Sequence, residues 1–262
     1  MSRTASRDHG RAPRPAQLAR LLAAGLALML VAACGGDDAP ASSERPLTDD
    51  EAAMLAGALF TNYDRGGADV TLAVQVGNGA SLSVQGEIDW STHRGHALVS
   101  ATGVETGVRE VYWSDDAVLE ARDDLGPLLA QAGLPDAPWV AREPDPAGRQ
   151  LDQALALLTG LASQQRDNPL LIQQQPGSAF VRDDTLRGTP VVVLRYGDAS
   201  VYWLSADDGR MLRFESNNSD GDRPVVVDVL GFRDVSVDGP PVDQVTDVAD
   251  IAAVYAAALA AP

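Results

Sequence analysis

Apolar and polar positions alternate along two separate stretches of this chain, and helical spacing appears before, between and after them. Val70, Leu72, Val74 and Val76 alternate with Thr71, Ala73 and Gln75; after Asn78-Gly79, Leu82, Val84, Ile88 and Trp90 take up the alternation again. Period two predicts half-buried strands, and Asn-Gly between two such runs predicts a tight hairpin. Further strands are predicted near 96–102, 108–113 and 117–122, with Asp115-Asp116 turning the last pair. Turns this short predict an antiparallel meander, because parallel neighbours need long crossovers. A second meander starts near Ser178, with strands at Phe180-Val181, 188–196, 200–205, 211–216 and 225–232. Gly197-Asp198 and Asp207-Asp208-Gly209 supply its turns.

Helical periodicity fills the rest. Thr48 and Glu51 have capping-box spacing, Met54, Leu55, Ala58 and Leu59 share one helical face, and Gly66-Gly67 ends the run. A short helical pattern at 125–132 is stopped by Gly133 and Pro135. Asp145-Pro146 predicts an N-cap with proline at the first helical position. The stripe Leu151, Ala154, Leu155, Leu158, Leu161 and Ala162 follows, up to Asn168-Pro169. An Ala-rich helix is predicted at 246–260, carrying Val248, Ile251, Val254, Tyr255 and Leu259. Antiparallel strands with segregated helices predict an α+β domain whose helices cover one face of a curved sheet.

The amino-terminal region has a different pattern. Arg3, Arg7, Arg11, Arg14 and Arg20 precede an apolar run over 21–31, which is too short for the ~20 residues of a spanning helix and has the build of a secretory signal. Val31-Ala32-Ala33-Cys34 resembles a bacterial lipobox. That resemblance implies cleavage before Cys34, a diacylglyceryl thioether on its sulfur, and attachment at the outer face of the plasma membrane. The division expected is signal peptide 1–33, polar tether 34–46 and folded domain 47–262. Cys34 is the only cysteine, so no intramolecular disulfide is available.

Charge narrows the partners. The chain has 20 basic and 37 acidic residues for a net charge of −17; removing 1–33 takes away five arginines and one aspartate and leaves −21. Such a surface repels phosphate backbones and anionic headgroups, which argues against nucleic acid and against flat adsorption to a membrane.

The second half carries a more specific pattern. It comprises Leu186-Arg187-Gly188-Thr189-Pro190-Val191-Val192, then 201–213 (VYWLSADDGRMLR), then 232–241 (FRDVSVDGPP). Over 47–241, with the lipobox before it, the chain resembles actinobacterial cell-envelope lipoproteins related to LppX and LprG. Their fold is shared with the lipoprotein carriers LolA and LolB. The resemblance implies a half-open antiparallel β-barrel of about ten or eleven strands wrapped over helices around an apolar cavity. It implies a carrier of acyl lipids, glycolipids or lipoproteins, not an enzyme, with a membrane transporter or sensor protein as a further partner. An alternative in the same superfamily is an interaction or envelope-sensor module holding no lipid. The helix at 246–260 departs from the family pattern by extending past its closing proline, and the sequence leaves open whether it plugs or lids the cavity.

Hydrocarbon binding needs no polar contact, since each buried CH₂ contributes about 0.8 kcal/mol. Candidate lining residues are Leu72, Val74, Leu82, Val84, Ile88, Val192, Leu194 and Val201. Alternation alone leaves open whether they line a hollow or fill a core. Other constellations are weaker. His93 and His96 have no third ligand in view, so a surface hairpin competes with a metal site. Asn218-Ser219-Asp220-Gly221-Asp222 lacks the twelfth-position Glu of a calcium loop. Asp115-Asp116 and Asp123-Asp124 read as solvated turns. Trp90, Trp113, Trp139 and Trp203 suit either a cavity mouth or a core. No G-x-S-x-G or phosphate loop occurs, and a hydrolase would need His93 or His96 as its base. No cofactor or metal is expected.

Overall fold

Helix α1 (Asp49–Asp64) begins where the capping box places it. In the computed structural model, Glu51 N–H donates to Thr48 Oγ1 at 3.3 Å, and Thr48 N–H donates to Glu51 Oε2 at 2.9 Å. The residues described are 44–76, 79–103, 107–122, 124–131, 133–135, 137–217 and 224–260. The signal-like segment, Cys34, most of the tether, Asn78, Asp123 and the turn 218–222 lie outside them.

After α1 the chain runs through β1 (Gly67–Val76), β2 (Ala80–Asp89), β3 (Arg94–Thr102), β4 (Gly107–Trp113) and β5 (Val118–Ala121). Next come α2 (Gly126–Gln131), β6 (Trp139–Arg142), α3 (Gln150–Gly160) and α4 (Pro169–Gln174). The second meander is β7 (Ala179–Leu186), β8 (Thr189–Tyr196), β9 (Ser200–Ser205), β10 (Met211–Ser216) and β11 (Val225–Phe232), and β12 (Val245–Asp247) and α5 (Val248–Ala260) close the chain. The strands form one open sheet in the order β12-β6-β5-β4-β3-β2-β1-β11-β10-β9-β8-β7. Every pairing is antiparallel except β12 with β6. The two meanders are joined by β1 and β11, where Val70 faces Val229 and Leu72 faces Val227.

This is the α+β half-barrel expected, with twelve strands where ten or eleven were predicted. The additions are β6, hidden in a proline-rich stretch, and β12, read from sequence as the first turn of the last helix. Val245–Asp247 pairs with Trp139–Ala141 instead, so α5 starts at Val248. The sequence leaves open whether that helix plugs or lids the interior. It sits at the β6–β12 margin, where Ile251 packs with Leu125, Leu129 and Ala137. The start of α3 is also corrected. Asp145 turns the chain by accepting from Gly148 N–H at 2.9 Å, which moves the helix start to Gln150. Helix α4, not anticipated, is capped by Asn168, whose side chain accepts from Leu170 N–H at 3.0 Å.

One face of the sheet packs on α1, α3 and α4. Its core combines Leu55 and Ala58, Leu155 and Leu158, and Ile172 with Val84, Ile88, Val111, Leu194, Met211 and Val227. Trp90 is fully buried there and donates from Nε1 to the Leu158 carbonyl at 3.0 Å, tying sheet to α3. The opposite face carries a smaller apolar cluster, Val191, Val193, Trp203 and Leu212, covered by arginine stems. The guanidinium carbons of Arg182 and Arg213 sit 4.9 and 5.5 Å from the Trp203 ring centroid.

The chain enters the fold along the free edge of β7. Arg45 exchanges both backbone hydrogen bonds with Phe180, at 3.1 and 2.9 Å, and its guanidinium holds Glu51 in two bonds of 2.7 Å. The Arg45 bond, aided by the helix cap, holds the Glu51 carboxyl down at about 2. A folded-state value below the unfolded ~4.3 stabilises the fold above that range and is lost as pH falls through about 2. Arg45→Gln is therefore expected to flatten the decline of the urea midpoint between pH ~4 and ~2. An unchanged decline would show that the pair contributes nothing.

Candidate ligand-binding cleft

Seven of the eight predicted lining residues face the helices. Leu72, Leu82, Val84, Ile88 and Leu194 belong to the core, and Val74 and Val192 pack at its margin. Val84, Ile88 and Leu194 have no exposure at all, and Leu72 has 1%. At these positions the interior is filled by helix side chains. Val201 is a correction: it lies on the other face, against Val191, Val193 and Trp203. Tyr202 and Leu204 take the inward positions of β9, and the run Val201-Tyr202-Trp203-Leu204 is apolar on both faces, which concealed the parity.

An open apolar space remains where the helices stop. Leu82, Val99, Ala101, Gly107, Arg109, Val111 and Leu151 line a cleft of about 210 Å³ between β2–β4 and the start of α3. Pairing places this cleft at one rim of the sheet. Ala179 faces Arg195, Arg195 faces Val201, Val201 faces Glu215 and Glu215 faces Val226. The row continues through Ala73 and Ser83 to Ser100 and Val108, beside the cleft. The cleft and the entry of the chain at Phe180 are therefore on the same rim.

Arg109 gives the cleft its charged wall. Val111 and Trp113 face the helices, so parity along Arg109-Glu110-Val111-Tyr112-Trp113 turns Arg109 inward as well. Reading that strand's parity from its own sequence would have found it. Its guanidinium lies 3.6 Å from Glu120, which also holds Arg142 at 2.8 Å. Arg142 in turn grips Asp152 through two bonds of 2.6 Å, with both side chains buried. Burial raises the Asp152 carboxyl, but the bonds from Arg142 and the Asp145 N–H prevail and leave it below the usual aspartate value. This chain of alternating charges fixes β4, β5, β6 and α3 around the cleft.

The two histidines have separate partners. His93 Nδ1 lies 2.8 Å from Asp115 at the rim of a second cleft, of about 460 Å³, beside Trp113 and Thr159. His96 Nε2 lies 2.7 Å from Glu110, and its ring stacks on Tyr112 at 4.2 Å. The four tryptophans divide between core and surface clusters: Trp90 and Trp113 lie in the main core, Trp203 lies on the opposite face, and Trp139 meets Tyr112 edge-on. Among the described residues no His, Cys, Asp and Glu cluster could hold a metal ion, and no helix is long and apolar enough to cross a membrane.

No family model matches this chain, and no curated protein does. Solved structures to which it is similar include an uncharacterized conserved protein from Thermus thermophilus, at 12% identity over 70% of this chain and 95% of that one, with a TM-score of 0.34. The Pseudomonas aeruginosa MucA/MucB complex is similar at 16% identity over 76% of this chain and 62% of that one, TM-score 0.32. A LolA superfamily protein from Nitrosomonas europaea is similar at 12% identity over 72% of this chain and 96% of that one, TM-score 0.27.

Proposed function

We propose that this chain is a lipid-anchored binding module on the outer face of the plasma membrane, whose half-barrel takes an acyl chain into the cleft of Leu82, Ala101 and Leu151. The lipobox-like Val31-Ala32-Ala33-Cys34 supports the anchor. The observation that carries the ligand is the cleft itself, an apolar trough at the rim where the anchored chain enters, with a guanidinium on its wall. Apolar walls exclude water and accept hydrocarbon, and Arg109 suits a carboxylate or phosphate head at the mouth. Non-enzymatic carriage fits histidines held by carboxylates at separate places.

A second reading has its own observation. The filled interior around Leu72, Val84 and Leu194 leaves no deep void at those positions, which favours an interaction module that works by its surface. Native mass spectrometry of the full chain carrying Cys34→Ala, expressed in an actinobacterial host, separates the two. Acyl lipid is expected to copurify with it. Ala101→Trp, which fills the cleft, is expected to reduce that lipid several-fold while leaving the fold intact. Lipid-free protein from both, or equal loading of both, would overturn the cleft as the site.

A further inference from the structure

Helix α4 displays two leucines to solvent at the rim where the chain enters. Leu170 and Leu171 are each 63% exposed, while Ile172 beside them is buried at 4%. A single exposed leucine is ordinary, but two adjacent ones on one short helix form a compact apolar wedge. The segment 163–178 (SQQRDNPLLIQQQPGS) has one arginine and one aspartate, in a chain of net charge −17. It is glutamine-rich and carries no net charge of its own, although the acidic first turn of α1 (Asp49, Asp50 and Glu51) lies beside it.

Two contacts fix this segment to the chain entry. Gln173 donates from Nε2 to Asp49 Oδ1 at 2.9 Å, in the first turn of α1. Arg195 donates to the Gly177 carbonyl at 2.9 Å and holds Glu44 through two further bonds of 2.9 Å. The wedge is thus built onto the point from which the chain leaves toward Cys34. Residues 35–43 separate Cys34 from Glu44, and at ~3.3–3.6 Å per residue the tether spans at most about 35 Å.

We propose that Leu170 and Leu171 insert into the bilayer to which Cys34 is attached, seating the half-barrel with its cleft rim against the membrane. This rests on the lipid-anchor reading above. The occupant is a bilayer because the tether ends at the wedge and keeps it within reach of one. The segment itself adds no net charge at the contact, a zwitterionic bilayer does not repel the acids beside it, and leucine side chains transfer favourably into hydrocarbon. Docking in this way requires neither a basic patch nor an anionic lipid, and an acyl chain passing to the cleft of Leu82 and Ala101 would not cross open water.

The test uses the full chain purified with its anchor and reconstituted in phosphatidylcholine vesicles. Cysteine is introduced by Leu171→Cys, and separately by Asp207→Cys in the β9–β10 turn at the opposite rim, and each is labelled with an environment-sensitive fluorophore. A spin label on a shallow acyl carbon is expected to quench the probe at 171 several-fold more than the probe at 207. Adding Leu170→Asp to Leu171→Cys is expected to abolish the difference. Equal quenching at 171 and 207, with Cys34 blocked to the label, would overturn the docking and leave the anchor standing. Labelling of Cys34 in the wild-type chain, with no vesicle association, would overturn the anchor and the docking together.

Discussion

Asp152→Ala is expected to cost the fold about 3–5 kcal/mol, because it leaves the buried Arg142 charge without its main partner. The Asp152 side chain has no exposure and Arg142 has 8%, and the carboxylate accepts two guanidinium bonds and the Asp145 N–H, all at 2.6 Å. Removing it takes away two guanidinium bonds, leaving Arg142 with Glu120, and strands one backbone donor. At about 2–4 °C per kcal/mol for a domain of this size, the melting temperature should fall by about 10 °C. Asp152→Asn keeps the shape but not the charge and should cost less than alanine. The double variant Arg142→Met with Asp152→Leu should recover much of the loss, since a buried pair is often replaceable by apolar residues. Acid should act in the same direction. The Asp152 carboxyl lies below its usual value, so its contribution is present above the unfolded ~3.9 and is lost as pH falls below it. Differential scanning calorimetry of the three variants decides the matter. A melting temperature unchanged in Asp152→Ala would show that Glu120 or water satisfies the Arg142 charge without Asp152.

Trp90→Ala is expected to cost about 3–5 kcal/mol, the range for emptying a large buried aromatic site. Trp90 follows β2, has no exposure, and joins three parts of the fold. Its ring packs in the main core, its centroid lies 6.1 Å from that of Phe232 at the end of β11, and its Nε1 bonds α3. Alanine removes the packing and also leaves the Leu158 carbonyl without this donor. Trp90→Phe isolates the second effect. It retains most of the apolar volume and should cost about 1–3 kcal/mol for the unpaired acceptor and the smaller ring. Urea unfolding reads both. Equal midpoints for Phe and Ala would assign the whole effect to the hydrogen bond, and wild-type midpoints for both would sink the reading of Trp90 as a core tie.

What was legible in the sequence was local. The Thr48–Glu51 box, the alternation through Val70 to Trp90 and the Asp207-Asp208-Gly209 turn are set by neighbours a few positions apart, and each appears where its pattern placed it. The strand predicted from Gly188 starts at Thr189, and Arg187-Gly188 is a two-residue turn with φ of 52° and 81°. Arginine carries no turn signal, but its side chain explains its presence there, bonding Asp228 at 2.7 Å and the carbonyls of Leu212 and Val229. The pairing of β6 with β12, the face of Val201 and the inward turn of Arg109 depend on partners distant in sequence. The cleft was partly legible: Leu82 was named among its lining residues, while Val99, Ala101 and Leu151 were visible only as members of strands and a helix.

The junction of β1 with β11 also governs when the fold can be completed. Asp69 and Arg233, which bond across it, stand 164 positions apart. Closing so long a loop is slow, and a topology dominated by distant pairings folds late. Until 225–232 arrives, β1 keeps one bare edge and β10 another, each a template for a second chain. A chain cut before Val225 would thus make two separate meanders with sticky margins rather than a smaller version of the protein. The last strand of the second meander is the latch, and the time spent before it engages is when this molecule is most exposed to aggregation.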